Sequence, residues 1–434
     1  MNNSFTYPKV LIVSHNSFSS TNNMGKTLAS YFSGFPKECL AQLYFHEGVP
    51  QSNICNKYYS FSDKDALKSI LNRYHVGYQY NDGCSEISNI KKTNGLYAVG
   101  KKKLPIALFA RDLIWKLSNI KNKHLLQWVQ KFNPDIIFFA SGDYSFAYKI
   151  ALFLSKALNI PLATCCFDDF YFYCNYKNKF LGKAYHRSFM KVVRKVIDYS
   201  KCIFVTNELM AEEYELFFRR KCSILYTPAE INKEEIKYED REGIRYLGGL
   251  SLNRHESLLD ISRMLEKISS KDERINCVDV YSNENSKEIL RNFNMNNGIA
   301  FHGFADFSTV QEVIRNSLAV IHVEAFDDKC RQRTRLSLST KIAESLASGT
   351  VLIAYGPLEL ASMQYLIKYN AAIVSDNIED LSLKIQSFLL DKDNYEKISL
   401  NAKQLALKNH SLQEISKMLT DELNCAIKNK ERRN

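Results

Sequence analysis

The stretch RTRLSLSTKIAESLASGTVLIAYGP, Arg333 to Pro357, places Ser337, Ser339, Thr340 and Lys341 just ahead of Glu344. A small-residue run, Ala347-Ser348-Gly349, follows, and then the apolar Val351-Leu352-Ile353-Ala354. The pattern predicts a helix starting near Thr340, ended tightly by Gly349, that leads into a buried strand Val351–Tyr355. A helix start offers free N–H groups and the positive end of a dipole, which together suit a phosphate. Ser339 and Thr340 add hydroxyl donors there, and Lys341 adds a point charge against a diphosphate. Glu344, four residues after Thr340, lies on the same face. Its carboxylate is badly placed for phosphate and well placed to accept from the two hydroxyls of a ribose. The plainer reading is an exposed helix capped by its own Ser and Thr, and strands on either side argue against simple exposure.

Working outward, the C-terminal half alternates strands and helices. Strands are expected at Ile244–Leu247, Cys277–Tyr281, Ile299–Phe301, Leu318–His322, Val351–Tyr355 and Ala372–Val374, with helices between them. The N-terminal half alternates in the same way, with strands at Lys9–Ser14, Cys39–Phe45, Ile136–Ala140, Pro161–Cys166 and Cys202–Thr206. Residues 76–103 read as a polar, mobile loop. The fold class is therefore α/β, as two Rossmann-like doubly wound halves with parallel sheets. Their expected extents are an N-terminal domain over 1–225, a charged linker over 226–243, a C-terminal domain over 244–405, and a helical segment over 406–434 packing back toward the N-terminal domain. Ligands of such sheets bind beyond the carboxyl ends of the strands, and with two halves the expected site is a central cleft.

Composition fits a soluble globular protein, with 45% hydrophobic and 24% charged residues. The apolar run Val10–Val13 is too short for a signal-peptide core. No window approaches the roughly 18 apolar residues of a membrane span. Eleven scattered Cys, without paired spacing, read as reduced thiols in the cytoplasm and not as a zinc site. Residues 1–225 hold 30 Lys+Arg against 16 Asp+Glu, and the remainder holds 28 against 31. All of the positive excess lies in the N-terminal half. That half suits an anionic partner: nucleic acid, a phosphorylated acceptor or an acidic membrane face. The plainer reading of the excess is solubility. The segment Lys177–Lys195, basic with Phe180, Tyr185, Phe189 and Val192-Val193, reads either as a membrane-surface helix or as an ordinary helix packing on the sheet.

Other candidate residues stand at expected strand ends. The turn Gly248-Gly249 with Arg254 lets backbone approach a phosphate and offers it a guanidinium, or is simply a tight turn. Phe304, after His302-Gly303, is placed either to stack on a base or to pack in the core. Asp168-Asp169 is placed to orient or deprotonate an acceptor hydroxyl, or to close a turn. His15, just past the first strand, is a second candidate for that role, although a lone His is more often structural. The run Lys329–Arg335, with Arg331, Arg333 and Arg335, reads as a solvated charge run or as phosphate contacts.

Residues 337–366, SLSTKIAESLASGTVLIAYGPLELASMQYL, resemble the donor-site signature of GT-B glycosyltransferases of family 4. The Gly248–Arg254 turn resembles the family's phosphate-gripping turn, and Asn22-Asn23-Met24-Gly25-Lys26 resembles its N-terminal glycine loop. The resemblance implies retaining transfer of a sugar from a UDP- or GDP-sugar, with neither a metal nor any other cofactor. It implies Glu344 on the ribose, Arg254 and Lys341 on the diphosphate, and Gly25 as a close backbone approach; Gly249, Phe304, Ser339 and Thr340 join them as donor-site candidates from the readings above. One departure stands out. Leu336 occupies the position of the family's sugar-reading Glu, and the nearest candidate for that contact is Glu324. The expected partners are a nucleotide-sugar and a glycan or lipid-linked acceptor in cell-surface polysaccharide synthesis. Contact of the basic half with the inner face of the cytoplasmic membrane is compatible with this, and no nucleic acid is expected. An epimerase of the same fold, using Asp168, Asp169 and Glu324, is one alternative. A non-catalytic scaffold or nucleic-acid-binding protein is another, although the dispersed basic residues carry no recognition motif.

Overall fold

The computed structural model describes residues 6–19, 23–50, 52–81, 105–173, 180–232, 236–268 and 272–431. The chain forms two compact units, one of residues 1–206, 210–225 and 415–434, the other of residues 207–209 and 226–414.

The first unit is built on an eight-stranded sheet. Its strands are β1 (Val10–Ser14), β2 (Leu40–Tyr44), β3 (Lys57–Ser60), β4 (Tyr78–Asn81), β5 (Ile136–Ala140), β6 (Leu162–Cys166), β7 (Cys202–Val205) and β8 (Ser223–Ile224). They lie in the order β4-β3-β2-β1-β5-β6-β7-β8, with every pair parallel except β3 with β4. All five residues of β1, β2, β5 and β6 are buried. That is why these strands read as unbroken apolar runs, since helices cover both faces of a parallel sheet. Strand order reverses between β1 and β5, the point at which doubly wound folds bind ligands.

The second unit has six strands, β9 (Glu242–Leu247), β10 (Val278–Tyr281), β11 (Ile299–Gly303), β12 (Ser317–Val323), β13 (Val351–Tyr355) and β14 (Ile373–Ser375). They are all parallel, in the order β11-β10-β9-β12-β13-β14, so the reversal falls between β9 and β12. One contiguous core joins Ile244, Val280, Ile321 and Ile353 of the sheet to Leu258, Ile261 and Leu265 of the helix Arg254–Glu266.

The structure corrects several sequence expectations. Tyr78–Asn81 is an antiparallel edge strand, not part of a loop, because Tyr58 and Tyr80 pair across β3 and β4; residues 82–103 of that expected loop lie outside the described residues. The expected linker 226–243 is not a free connection. Tyr226 is buried, with its ring 5.5 Å from that of Tyr365 and 5.4 Å from that of His410. Ala229 bridges to Ser411, and the Tyr238 ring packs 4.9 Å from the Tyr395 ring. The C-terminal boundary also moves. The helix Lys392–Asn409 belongs to the second unit, while residues 415–434 belong to the first. There Leu419, Leu423 and Ala426 are buried, and Asn424 Nδ2 donates to the Thr6 carbonyl at 3.1 Å.

Candidate functional site

In the second unit, the reversal between β9 and β12 carries a network that no single motif announces. After β9, Gly248 and Gly249 turn the chain, and the Tyr246 hydroxyl donates to the Gly249 carbonyl at 2.7 Å. Leu252 and Asn253 then adopt φ of 61° and 55°. A leucine in this left-handed region is strained, and such strain tends to gather at functional sites. The turn delivers Arg254 to the start of its helix. Arg254 Nη2 donates to both carboxylate oxygens of Glu324, at 2.9 and 3.1 Å. Glu324 stands one residue past β12 with its side chain only 4% exposed, and its N–H donates to the Tyr355 carbonyl at 3.0 Å. Gly356 packs closely beside it, since a Cβ there would stand 2.8 Å from the Met363 Cε and 3.0 Å from the Glu324 Cβ.

Two nitrogens in this network lack hydrogen-bond partners. Arg254 Nε and His322 Nε2 are both buried and unbonded. His322 Nε2 lies 3.5 Å from Glu324 Oε1, yet burial and the Arg254 cation push the imidazole pKa down to about 3, so the ring is neutral. Buried unsatisfied nitrogens beside a strained turn mark a place built for a further polar group. The helix itself points the same way. Asn253 at its N-cap makes no side-chain cap, and its Nδ2 donates instead to Asp327 at 3.0 Å.

The helix read from the opening stretch spans Thr340–Ser348, begins after Ser339 and is closed by Gly349 at φ 72°. Ile342, Ala343, Leu346 and Ala347 are buried, which turns Thr340 and Lys341 outward, with Glu344 half-buried. Ser339 does not cap the helix with its side chain. Asp306 and Asp391, by contrast, cap the helices Phe307–Asn316 and Lys392–Asn409. The Ser339 hydroxyl is thus not spent on its own helix, as the plainer sequence reading required.

The remaining sequence candidates divide. Phe304 is 76% exposed after Gly303, so it does not pack in the core. Leu336 is 1% exposed and belongs to the interior, where its carbonyl accepts from Asn207 Nδ2 at 2.8 Å. The basic run is not simply solvated. It forms the helix Asp328–Thr334, capped by Asp327, with Cys330 and Thr334 buried and Arg331 Nε donating to Glu359 at 2.8 Å. Arg333 is exposed. In the first unit, Asp169 Oδ1 accepts the N–H groups of Tyr171 and Phe172 at 3.2 and 2.9 Å, and Asp168 Oδ1 accepts that of Asp169 at 3.0 Å. This is the turn-closing geometry. The helix Phe180–Tyr199 buries Tyr185, Phe189, Val193, Val196 and Ile197 and exposes Lys183, Arg187 and Lys191, as an ordinary amphipathic helix does; Lys177–Lys179 lie outside the described residues.

Gly25 has a close approach of its own. It falls in the helix Asn23–Tyr31, and a Cβ would meet the Ser17 carbonyl oxygen at 2.5 Å; Asn22 lies outside the described residues. Gly25→Ala is therefore expected to destabilise the protein by about 1–3 kcal/mol through overpacking. A lowered midpoint in urea unfolding checks this, and an unchanged midpoint would show that the Ser17–Ser19 loop yields freely.

Burial also dictates a pH dependence. Desolvation holds His15 and His322 near pKa 3 and His410 near 4. His410 is fixed by its neighbours, with Nδ1 2.8 Å from the Thr227 carbonyl and Nε2 2.8 Å from the Tyr365 hydroxyl. The unfolded chain binds protons at these rings below about pH 6.5, while the folded chain does not until near pH 4 to 3. Stability therefore falls as pH drops through that window, by up to about 1.4 kcal/mol per pH unit for each histidine. Urea midpoints measured at pH 7, 6 and 5 are expected to decrease in step. His410→Gln is expected to flatten the slope, and an unaltered slope in that variant would remove His410 from the account.

No group of three His, Cys, Asp or Glu placed to hold a metal ion occurs among the described residues. No described helix is long and apolar enough to cross a membrane.

Two Rossmann-like units of this strand order define the GT-B fold. A family model described as "Glycosyl transferase-like" matches residues 254–421, less than half of the chain and wholly beyond the first unit's sheet. Among solved structures, Anabaena Alr3699/HepE in complex with UDP superposes with a TM-score of 0.61 at 10% identity, covering 96% of this chain and 100% of that one. The α,α-trehalose-phosphate synthase (UDP-forming) of Burkholderia xenovorans, in complex with glucose-6-phosphate, gives 0.59 at 9% identity, over 96% and 100%. TarM gives 0.59 at 11% identity, over 97% and 99%. No curated protein matches the sequence.

Proposed function

We propose that the chain is a glycosyltransferase of the family 4 type that moves a hexosyl group from a UDP- or GDP-sugar to a glycan or lipid-linked acceptor in cell-surface polysaccharide synthesis. The observation that carries this reading is the pair of uncapped helix starts, at Arg254 and Thr340, beside the strand-order reversal of the second unit. The glycosyl transferase-like match over residues 254–421 supports it, as do neighbours whose structures hold UDP or UDP-glucose.

In this reading the diphosphate binds Ser339, Thr340 and Lys341, with Gly249 allowing close backbone approach and Arg254 turning from Glu324 toward the phosphate. Glu344 holds the ribose and Phe304 lies against the base. Glu324 then contacts the donor sugar, supplying the carboxylate that Leu336 does not. As the bond between the anomeric carbon and the diphosphate breaks, negative charge builds on the leaving oxygens. Two helix dipoles and the Arg254 and Lys341 cations stabilise that charge without a metal. The acceptor hydroxyl bonds to the anomeric carbon on the face the diphosphate leaves, and its proton passes to the leaving phosphate, which retains configuration.

The test is stabilisation by candidate donors. At a hundred times its Kd, a true nucleoside diphosphate adds about 2.7 kcal/mol of stability. UDP or GDP, and the matching nucleotide-sugar, are expected to raise the melting temperature while AMP and inorganic phosphate do not. No shift with either diphosphate would sink the reading.

A further inference from the structure

Three helices of the first unit carry an outer surface that the proposed function leaves unused. The helix Pro105–Leu117 packs against both Asp63–Leu71 and Phe180–Tyr199. Asp63 accepts from Arg111 Nε at 2.8 Å and from Trp115 Nε1 at 2.6 Å, and the Phe109 and Tyr185 rings stand 5.2 Å apart. These contacts hold the three helices in one layer.

A helix on a sheet ordinarily turns its apolar side inward and its polar side to water. Pro105–Leu117 does not. Leu108 and Trp115 are buried, yet Ile106, Leu113 and Leu117 on the opposite side are 69%, 54% and 61% exposed. They recur with Phe109 at spacings of three and four, and Ala110 fills the stripe between them, so no polar side chain interrupts it. The helix Asp63–Leu71 is inverted more plainly. It buries Asp65, Ala66 and Ser69 and exposes Leu67, Ile70 and Leu71, with Tyr74 exposed just beyond it. Single surface leucines are ordinary, but an apolar face continued over two packed helices marks a surface that something covers. The third helix supplies cations. Phe180–Tyr199 keeps its apolar side in the core and turns Lys183, Arg187, Lys191 and Lys195 outward.

Charge selects the partner. The three helices hold nine Lys or Arg against four Asp, and each Asp is engaged. Asp63 lies on Arg111, Asp65 is 2.7 Å from His75, Asp112 is 3.8 Å from Lys149 and Asp198 is 3.5 Å from Arg194. The helix Ser145–Leu158, which packs against two of the three, has no acidic residue. A second copy joined through the same face would therefore bring further cations and no spare carboxylate from these helices. Nucleic acid would meet the cations, but Leu and Ile offer no π-face on which bases stack. An anionic bilayer satisfies both parts, because its phosphates meet the cations and its acyl boundary takes the aliphatic side chains.

We propose that this layer docks the chain on an anionic phospholipid surface. Leu71, Ile106, Leu113 and Leu117 enter the boundary between headgroups and acyl chains, while Lys183, Arg187 and Lys191 lie on lipid phosphates. The apolar side of Phe180–Tyr199 takes no part, since it is in the core. The cationic excess of the N-terminal half thereby has a place to act. The inference does not depend on the glycosyltransferase reading.

Sedimentation of the full chain with phosphatidylcholine vesicles, with and without phosphatidylglycerol, tests it. Binding is expected only with phosphatidylglycerol, and it is expected to weaken as salt is raised. Lys183→Gln with Arg187→Gln and Lys191→Gln is expected to weaken it about 10²-fold, at about fivefold for each cation. Leu113→Gln with Leu117→Gln is expected to weaken it about 10–10²-fold, since roughly half of each side chain is left to bury. All of these side chains are exposed, so the melting temperatures are expected to match the wild type. Leu113→Trp keeps the face apolar and gives a reading that does not rest on the glutamine variants. Its added fluorescence is expected to be quenched by vesicles with brominated acyl chains. Failure to bind either vesicle, binding that both glutamine variants keep, or an unquenched Trp would overturn the proposal. So would a dimer, seen by light scattering, that Leu113→Gln with Leu117→Gln dissociates, because a second copy then covers the face.

Discussion

Arg254→Ala is expected to lose donor turnover and stability together. The substitution strands Glu324, whose side chain is 4% exposed, as a buried carboxylate without its cation. Removing one partner of a buried pair costs about 3–5 kcal/mol, and the 23% exposure of Arg254 argues for the lower end. In the proposed function the loss of turnover has a separate cause, since a donor aimed at charge that develops in the transition state is worth about 10²–10³ in kcat. The two effects can be parted. Arg254→Met combined with Glu324→Gln removes the stranded charge and keeps the volume, so the unfolding midpoint is expected to recover most of its loss. Turnover is expected to stay low. A double variant that turns over donor at the wild-type rate would take the diphosphate role from Arg254. A single variant with an unchanged midpoint would contradict the buried pair.

With Glu344 on the ribose as proposed, Glu344→Ala is expected to weaken nucleotide binding about 10²–10⁴-fold, through the loss of two charge-assisted hydrogen bonds worth about 1.5–3 kcal/mol each. Glu344 is half-buried on a helix whose opposite face is in the core, so the expected change in stability stays within about 1 kcal/mol. Calorimetric titration with UDP and 2′-deoxy-UDP isolates the contact. The wild type is expected to prefer the ribose form, and the variant is expected to bind both alike. A preference that survives in Glu344→Ala would move the ribose contact elsewhere.

Both variants rest on residues that the sequence singled out, yet the two were legible to different degrees. The helix Thr340–Ser348 and the strand after it were readable because their signals are local. Apolar spacing marks the buried face, Gly349 marks the end, and an apolar run marks the strand. Glu344 therefore has its place from spacing alone. Arg254 was legible only as a cation after a glycine turn. Its bond to Glu324 spans seventy residues of chain, and nothing in either segment announces it. His322 and Gly356 were missed for the same reason, since a buried histidine in an apolar strand and a glycine after a strand have ordinary local explanations. The edge strand Tyr78–Asn81 was missed because antiparallel pairing with β3 decides it, and its own four residues lack a distinctive pattern.

By itself the sequence determined the alternation of strands and helices, the two doubly wound halves and the hydroxyl-rich helix start. Each follows from periodicity and turn chemistry within about twenty residues. Only the tertiary structure decided what lies beside each candidate side chain. It closed a turn with Asp168 and Asp169, buried Leu336, exposed Phe304, and left nitrogens of Arg254, His322 and His15 without partners. The physical reason is that satisfaction of a polar group depends on what folding brings beside it, and those neighbours come from distant strands whose carboxyl ends meet where the strand order reverses.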